Sequence, residues 1–122
     1  VYKDYSILGH LDVIKRYDKQ GEIEFEKIKD LIEQIFEVVI ADGKGIELNT
    51  SSRAYKLKSL MPSKEILKLY HDMGGKIITI GSDAHNADRI GDCVMESQKI
   101  LKDIGFEGIY TFEKMKPEFH KL

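Results

Sequence analysis

Short strand-like segments alternate with longer amphipathic segments along most of this sequence, and the alternation limits the folds available to it. Four segments are rich in β-forming residues and bounded by Gly, Asp or Asn: residues 4–9, 45–49, 76–81 and 107–112. Between them, apolar residues recur at steps of three and four, which predicts helices over residues 24–40, from Pro62 to Met73, and over residues 91–104. The predicted order is β-α-β-α-β-α-β, an α/β fold.

Polar side chains follow three of the four predicted strands, at the point where each strand ends. Strands joined through helices pair in parallel, and ligands bind outside the carboxyl ends of such strands. The three clusters should therefore face the same side of the sheet. They are "GHLD" with His10 and Asp12, "ELNTSSR" with Glu47, Asn49 and Arg53, and "GSDAH" with Asp83 and His85.

Length and composition exclude several classes of function. At 122 residues the chain forms one domain at most, and its formal net charge of -2 has neither sign gathered into a block. We therefore expect no nucleic-acid partner and no membrane anchor, and no apolar run reaches the ~20 residues of a membrane span. The single cysteine, Cys93, cannot form an internal disulfide, so a cytoplasmic location is the default expectation.

The residue types in these clusters suit a metal site. Imidazole nitrogen and carboxylate oxygen are ligands for Zn, Mn or Fe, and Asp83 and His85 lie two positions apart, where both can turn towards one pocket. His10 would add a nitrogen from the neighbouring strand. An ion of this kind lowers the pKa of bound water to ~7, which suits hydrolysis of a phosphate ester. Arg53 would offer the planar fork that holds a phosphate.

Each of these residues has a simpler interpretation when it is taken alone. Asp83 could cap the helix that follows it, since aspartate is a favoured N-cap residue. His10 could be a hydrogen-bonded histidine at a strand end, and Arg53 could be a surface arginine. Cys93 is expected to be a packing residue. Only the combination of the clusters favours a site.

Three further polar residues have supporting roles in this interpretation. Glu47 alternates with apolar neighbours, so with Asn49 it faces the polar side of its strand. These two residues either support the site without touching the metal or are polar core residues. Asp12 could cap a turn or pair with Lys15 or Arg16.

Five motifs in order resemble one known family. They are "ILGHLDVIKRY", "IELNTSSR", "MPSKEIL", "ITIGSDAHNADRIGD" and "GFEGIYTF", and they run over nearly the whole chain. Together they resemble the carboxyl-terminal half of the PHP (polymerase and histidinol phosphatase) superfamily, and most of all its histidinol-phosphatase branch. The resemblance implies a distorted seven-stranded β/α barrel with up to three divalent metal ions at the strand ends. It also implies hydrolysis of L-histidinol phosphate, a small-molecule phosphate ester, in histidine biosynthesis.

The same resemblance implies a role for individual residues. His10 matches the histidine of the family's Gly-His motif, and Asp83 and His85 match its final Asp-x-His motif, all three as metal ligands. Asp83 and His85 are also the expected catalytic pair. Arg53 lies where the histidinol-phosphatase branch carries an arginine for the substrate phosphate. Ser52 replaces a glycine of the family's "NTSG" stretch, so the geometry of that loop is the least certain part of the resemblance.

The family's His-x-His strand end is not found in this sequence, and four strands cannot close a barrel. We therefore expect residues 1–122 to form the carboxyl-terminal portion of a PHP domain, about half of a distorted (β/α)7 barrel, lacking the amino-terminal half and inactive alone. Such a chain would self-associate or pair with the missing half. Two alternatives stay open: a PHP phosphoesterase of other specificity, and a non-catalytic structural half that needs a partner.

Overall fold

Three short strands form a parallel sheet in the computed structural model, which describes residues 2–18 and 23–122. They are β1 (Ile7–Leu8), β2 (Gly45–Asn49) and β3 (Ile78–Gly81), and β2 lies between the other two. Ile46 of β2 pairs with Leu8 on one side and with Ile78 on the other. The α/β fold with parallel strands is thereby confirmed.

Three helices connect and follow these strands, close to where periodicity predicts them: α1 (Phe25–Ala41), α2 (Lys64–Asp72) and α3 (Val94–Ile104). The Ser63 hydroxyl caps α2 by accepting a hydrogen bond from the amide of Ile66 at 3.4 Å. α3 ends at Gly105, whose φ of 120° is readily adopted only by glycine. None of the helices among the described residues is long and apolar enough to cross a bilayer.

The core lies between the sheet and the helices. Ile46 and Leu48 of β2 are fully buried, and α1 contributes Phe36. The ring of Tyr70 on α2 packs edge-on against Phe36, with centroids 5.0 Å apart. Its hydroxyl donates a hydrogen bond to the carbonyl of Ile77 at 3.0 Å, and burial raises the pKa of Tyr70 to about 12.

The fourth predicted strand forms, but it does not join the parallel sheet. β4 (Gly108–Glu113) pairs antiparallel with β5 (Lys116–Lys121), so the expectation of four parallel strands is wrong at β4. The turn residues Lys114 and Met115 have φ of 49° and 64°, the left-handed values that fit the twist of a two-residue hairpin. β5 contains a proline and no apolar alternation, so its residues do not predict a strand.

Candidate active site at the carboxyl edge of the sheet

The parallel strands bring the three predicted polar clusters to one edge of the sheet. β1 is followed by Gly9 and His10, and β3 ends at Gly81, two positions before Asp83. Asn49 at the end of β2 pairs in register with Gly81. We call this region, comprising the strand exits at residues 9–12, 49–53 and 81–85, the carboxyl edge.

The carboxylate of Glu47 lies between the first and third strand exits. Its Oε2 accepts a hydrogen bond from the backbone amide of His10 at 3.4 Å. A Cβ at Gly9 would lie 3.2 Å from Glu47 Oε2, and a Cβ at Gly81 would collide with Glu47 Oε1. Two glycines thus leave the space that this carboxylate fills. Sequence alternation placed Glu47 on the polar side of β2, but it could not show the contact with the His10 turn.

Two of the predicted metal ligands have left-handed backbone conformations. His10 has a φ of 53° and Asp83 a φ of 49°, values uncommon for residues with a Cβ. Such conformations are disfavoured by roughly 1–3 kcal/mol and cluster at functional sites. Both occur one or two residues beyond a glycine at the carboxyl edge. The backbone therefore turns sharply where the sequence places the ligands.

Asp83 and His85 lie next to each other, as their spacing predicts. His85 Nδ1 is 2.8 Å from the Asp83 carbonyl oxygen and 3.9 Å from Asp83 Oδ1. When Nδ1 donates to that carbonyl, the Nε2 lone pair is left available for a ligand, the usual arrangement of a metal-binding histidine. The His85 side chain is 74% exposed and that of Asp83 is 21% exposed.

The helix-cap interpretation of Asp83 is wrong. Asn86 precedes the next helical turn, Ala87–Arg89, and Cys93 precedes α3. Asp83 therefore caps neither of the helical elements that follow it. Its carboxylate lies instead beside the His85 ring, with Oδ1 3.9 Å from Nδ1.

The donor types at the carboxyl edge fit a divalent metal, but the number of gathered donors is small. Imidazole and carboxylate groups are the ligands that zinc takes in catalytic sites. Across residues 2–18 and 23–122, no three His, Cys, Asp or Glu side chains are grouped so that they could hold an ion. His10 and His85 both lie on exposed turns. The shell of His10, Asp83 and His85 therefore stays a prediction.

Arg53 ends a 3₁₀ turn, Thr50–Arg53, that begins directly after β2. Asn49 caps this turn, since its Oδ1 accepts a hydrogen bond from the amide of Ser51 at 2.9 Å. Arg53 Nη1 donates to Cys93 Sγ at 3.3 Å, and this contact, with the charges of nearby acidic groups, raises the pKa of Arg53. The guanidinium thus rests against the start of α3. No pattern in the sequence predicts the contact of Arg53 with Cys93.

An open cavity of about 390 Å³ adjoins Arg53. Its lining includes Lys58, Lys64 and Glu65, and the carboxylates of Asp92 and Glu96 also lie near Arg53, so charges of both signs surround the guanidinium. This placement is compatible with the predicted phosphate role of Arg53.

Asp12 and Lys15, which follow His10 in the chain, form a buried ion pair. Lys15 Nζ is 2.8 Å from Asp12 Oδ2, and the two side chains are only 3% and 5% exposed. Of the open alternatives for Asp12, pairing with Lys15 is confirmed. Burial raises the pKa of Asp12, although Lys15 and the Ser63 amide act in the opposite direction.

Comparison with known proteins gives a consistent result. A probable histidinol-phosphatase of Thermotoga maritima is 37% identical over 103 residues, which are 84% of this chain and 42% of that protein. The histidinol-phosphatase of Lactococcus lactis is 28% identical over 123 residues, covering 98% of this chain and 45% of that protein. The resemblance to histidinol-phosphatases is confirmed. No family model matches the sequence.

A solved structure extends the similarity to the fold. The crystal structure of histidinol phosphate phosphatase from Lactococcus lactis, in complex with Zn, L-histidinol and phosphate, matches this chain with a TM-score of 0.83 at 26% sequence identity. The match covers 96% of this chain and 45% of that one. The chain therefore spans less than half the length of the histidinol-phosphatases it resembles.

Proposed function

We propose that this chain is part of a metal-dependent phosphatase that hydrolyses L-histidinol phosphate to L-histidinol and phosphate in histidine biosynthesis. The observation that carries the proposal is its match, over nearly its whole length, to a histidinol phosphate phosphatase structure that holds Zn, L-histidinol and phosphate. In this proposal residues 1–122 are the carboxyl-terminal portion of a PHP domain and about half of a distorted (β/α)7 barrel. The further metal ligands, beyond His10, Asp83 and His85, would come from a part of the enzyme outside this chain.

In this proposal some residues of the carboxyl edge bind the metal and others bind the substrate. His10, Asp83 and His85 would hold divalent ions, Zn, Mn or Fe, up to three in the complete site. A bound ion would supply an acidified water at neutral pH. Glu47 orients the His10 turn through the amide contact at 3.4 Å, and it needs no direct contact with the ion.

Arg53 would bind the substrate phosphate through its planar fork, since a guanidinium and a phosphate form two parallel hydrogen bonds. Only Nη1 donates to Cys93 Sγ, a weak acceptor, so the other N–H groups of the guanidinium stay available for the phosphate oxygens. Asn49 holds the Thr50–Arg53 turn in place through the amide of Ser51. Arg53 would thus bind the phosphate, and Asn49 would hold the turn that carries Arg53.

Asp83→Asn tests the metal role directly. In the complete enzyme, asparagine keeps the size of the side chain but removes the negative charge that offsets the cation, so zinc content and phosphate release should fall together, by at least about tenfold. Thermal stability without metal should change little. Asp88→Asn, an exposed aspartate in the following turn, is the matched control and should leave both quantities unchanged. Normal zinc content and full turnover in Asp83→Asn would remove this residue from the site.

A non-catalytic structural half that needs a partner is the second candidate, and it has its own support. No group of three potential ligands is present in the described part of the chain, and the chain spans under half of its relatives. In this case the purified chain self-associates or pairs with the remaining half, and shows neither zinc binding nor phosphate release by itself. Light scattering and the same two assays on the wild-type chain alone test this candidate, and the two assays on the chain joined to the remaining half test the first one. A PHP phosphoesterase of other specificity would bind zinc but prefer a different phosphate ester.

A further inference from the structure

The Asp12–Lys15 pair links the segment after β1 to residues 59–63 through hydrogen bonds. Lys15 Nζ donates hydrogen bonds to Ser59 Oγ at 3.0 Å and to the carbonyl of Leu60. Asp12 Oδ2 accepts a hydrogen bond from the amide of Ser63 at 3.1 Å. The two charged side chains thus hold residues 59–63 at three points.

Residues 59–63 are fastened in turn to the exit of β2. The amide of Asn49 donates to the carbonyl of Met61 at 2.7 Å. Just before this segment, the amide of Leu57 donates to the carbonyl of Ser52 at 2.9 Å. The chain from β2 to α2 therefore loops from Asn49 through Arg53 and back to Asn49. Residues 59–63 thus contact both the residues that follow His10 and Asn49, the cap of the Arg53 turn.

Stability is a weak explanation for such a pair. Removing two charges from water costs several kcal/mol per ion, and replacement of a buried pair by apolar residues of similar volume is often neutral or stabilising. What apolar residues cannot reproduce is direction, because each hydrogen bond fixes a distance and an angle. The contacts of Asp12 and Lys15 all fix the position of one turn relative to another.

We propose that Asp12 and Lys15 are positioning residues, which set the His10 turn relative to the Arg53 turn through residues 59–63. Both side chains are buried, so this role needs no contact with a metal ion or with the substrate. The importance of the two turns for catalysis rests on the proposed function, but the coupling between them does not. Loss of the pair should loosen both turns together while the rest of the fold stays intact.

The test is a double variant, Asp12→Asn with Lys15→Met, which removes both charges but keeps the volumes and an oxygen that can accept from the Ser63 amide. We expect a melting temperature within a few degrees of the wild type. Hydrogen exchange should become at least about tenfold faster at the amides of residues 10–13 and 49–61, and stay unchanged in α1. In the active enzyme, the dissociation constant for zinc and the KM for the phosphate ester should both rise more than kcat falls.

The control is Lys68→Met with Asp72→Asn, which removes an exposed pair of the same types, 3.0 Å apart on α2. It should change none of these quantities. Unchanged exchange in both turns of a folded Asp12→Asn, Lys15→Met variant would overturn the inference, and so would exchange that rises equally in α1. If the double variant does not fold, Ser59→Ala decides: faster exchange in both turns supports the coupling, and an effect confined to residues 57–61 refutes it. Failure of the complete wild-type enzyme, with its amino-terminal half present, to bind zinc or release phosphate contradicts the proposed function, while the exchange pattern still decides the coupling.

Discussion

The carboxyl edge of the parallel sheet and the β4–β5 hairpin differ in how tightly their residues are packed. At the carboxyl edge, two glycines enclose the carboxylate of Glu47, and Asp12 and Lys15 form a buried ion pair close to His10. In the hairpin, every residue of β5 is exposed. β2 is held by a parallel neighbour on each side, and its apolar side chains are fully buried. In the hairpin, Phe119 is 49% exposed. The contrast indicates a tightly packed region around the candidate site and a loosely packed hairpin that should tolerate substitution.

Truncation of one apolar side chain in each region should give the largest difference. Leu48→Ala removes a fully buried side chain of β2, and we expect it to lower the free energy of unfolding by about 2–5 kcal/mol. Phe119→Ala loses an edge-on contact with Tyr110 at 5.4 Å, worth about 1 kcal/mol, together with partial burial. Urea denaturation of the two variants measures both losses. Equal losses of unfolding free energy in the two variants would contradict the difference in packing between the sheet and the hairpin.

Adding a methyl group in each region applies the same steric test to both. A Cβ at Gly45 would collide with the carbonyl oxygen of Ile77, and a Cβ at Gly108 would lie 2.5 Å from the carbonyl oxygen of His120. Overpacking of this kind costs about 1–3 kcal/mol. Gly45→Ala should lie at the upper end, because β2 cannot move between its two neighbours, while β5 can shift into solvent. A larger cost for Gly108→Ala, measured by the same denaturation, would show that the hairpin is the stiffer region.

The alkaline pH dependence of stability gives the smallest of these effects and reports on the tightly packed region alone. The pKa of Tyr70 is raised to about 12 in the folded chain, against about 10 when unfolded. The folded state therefore holds its proton longer, so stability is fully present below pH ~10 and falls as the pH rises towards 12. The loss should reach up to about 2 kcal/mol.

Tyr70→Phe is the control for this titration. It removes the ionisable hydroxyl and the hydrogen bond to Ile77, so it should be less stable near neutral pH but lose the Tyr70 contribution to the alkaline fall. Denaturation midpoints at pH 8, 10 and 11.5 would show the difference. An identical alkaline fall in Tyr70→Phe would assign the effect to other groups.

The sequence by itself determined the helices and the positions of the strand ends. Apolar residues at three- and four-residue spacing fix which face of α1 packs on the sheet, and this pattern is local. Ser63 and Gly105 mark helix ends through hydrogen bonds and backbone angles that involve only neighbouring residues. Polar residues directly after apolar strands likewise predicted where the candidate site lies, since parallel pairing brings the carboxyl ends together.

Only the tertiary structure decided which distant residues meet. The pairing of β4 with β5 depends on a left-handed turn at Lys114 and Met115, and these residue types do not predict such a turn. The contact of Glu47 with the amide of His10 joins residues 37 positions apart, and that of Lys15 with Ser59 joins residues 44 apart. Such contacts arise from the packing of whole elements, because a side chain finds a partner only after the backbone has brought the two segments within hydrogen-bond distance.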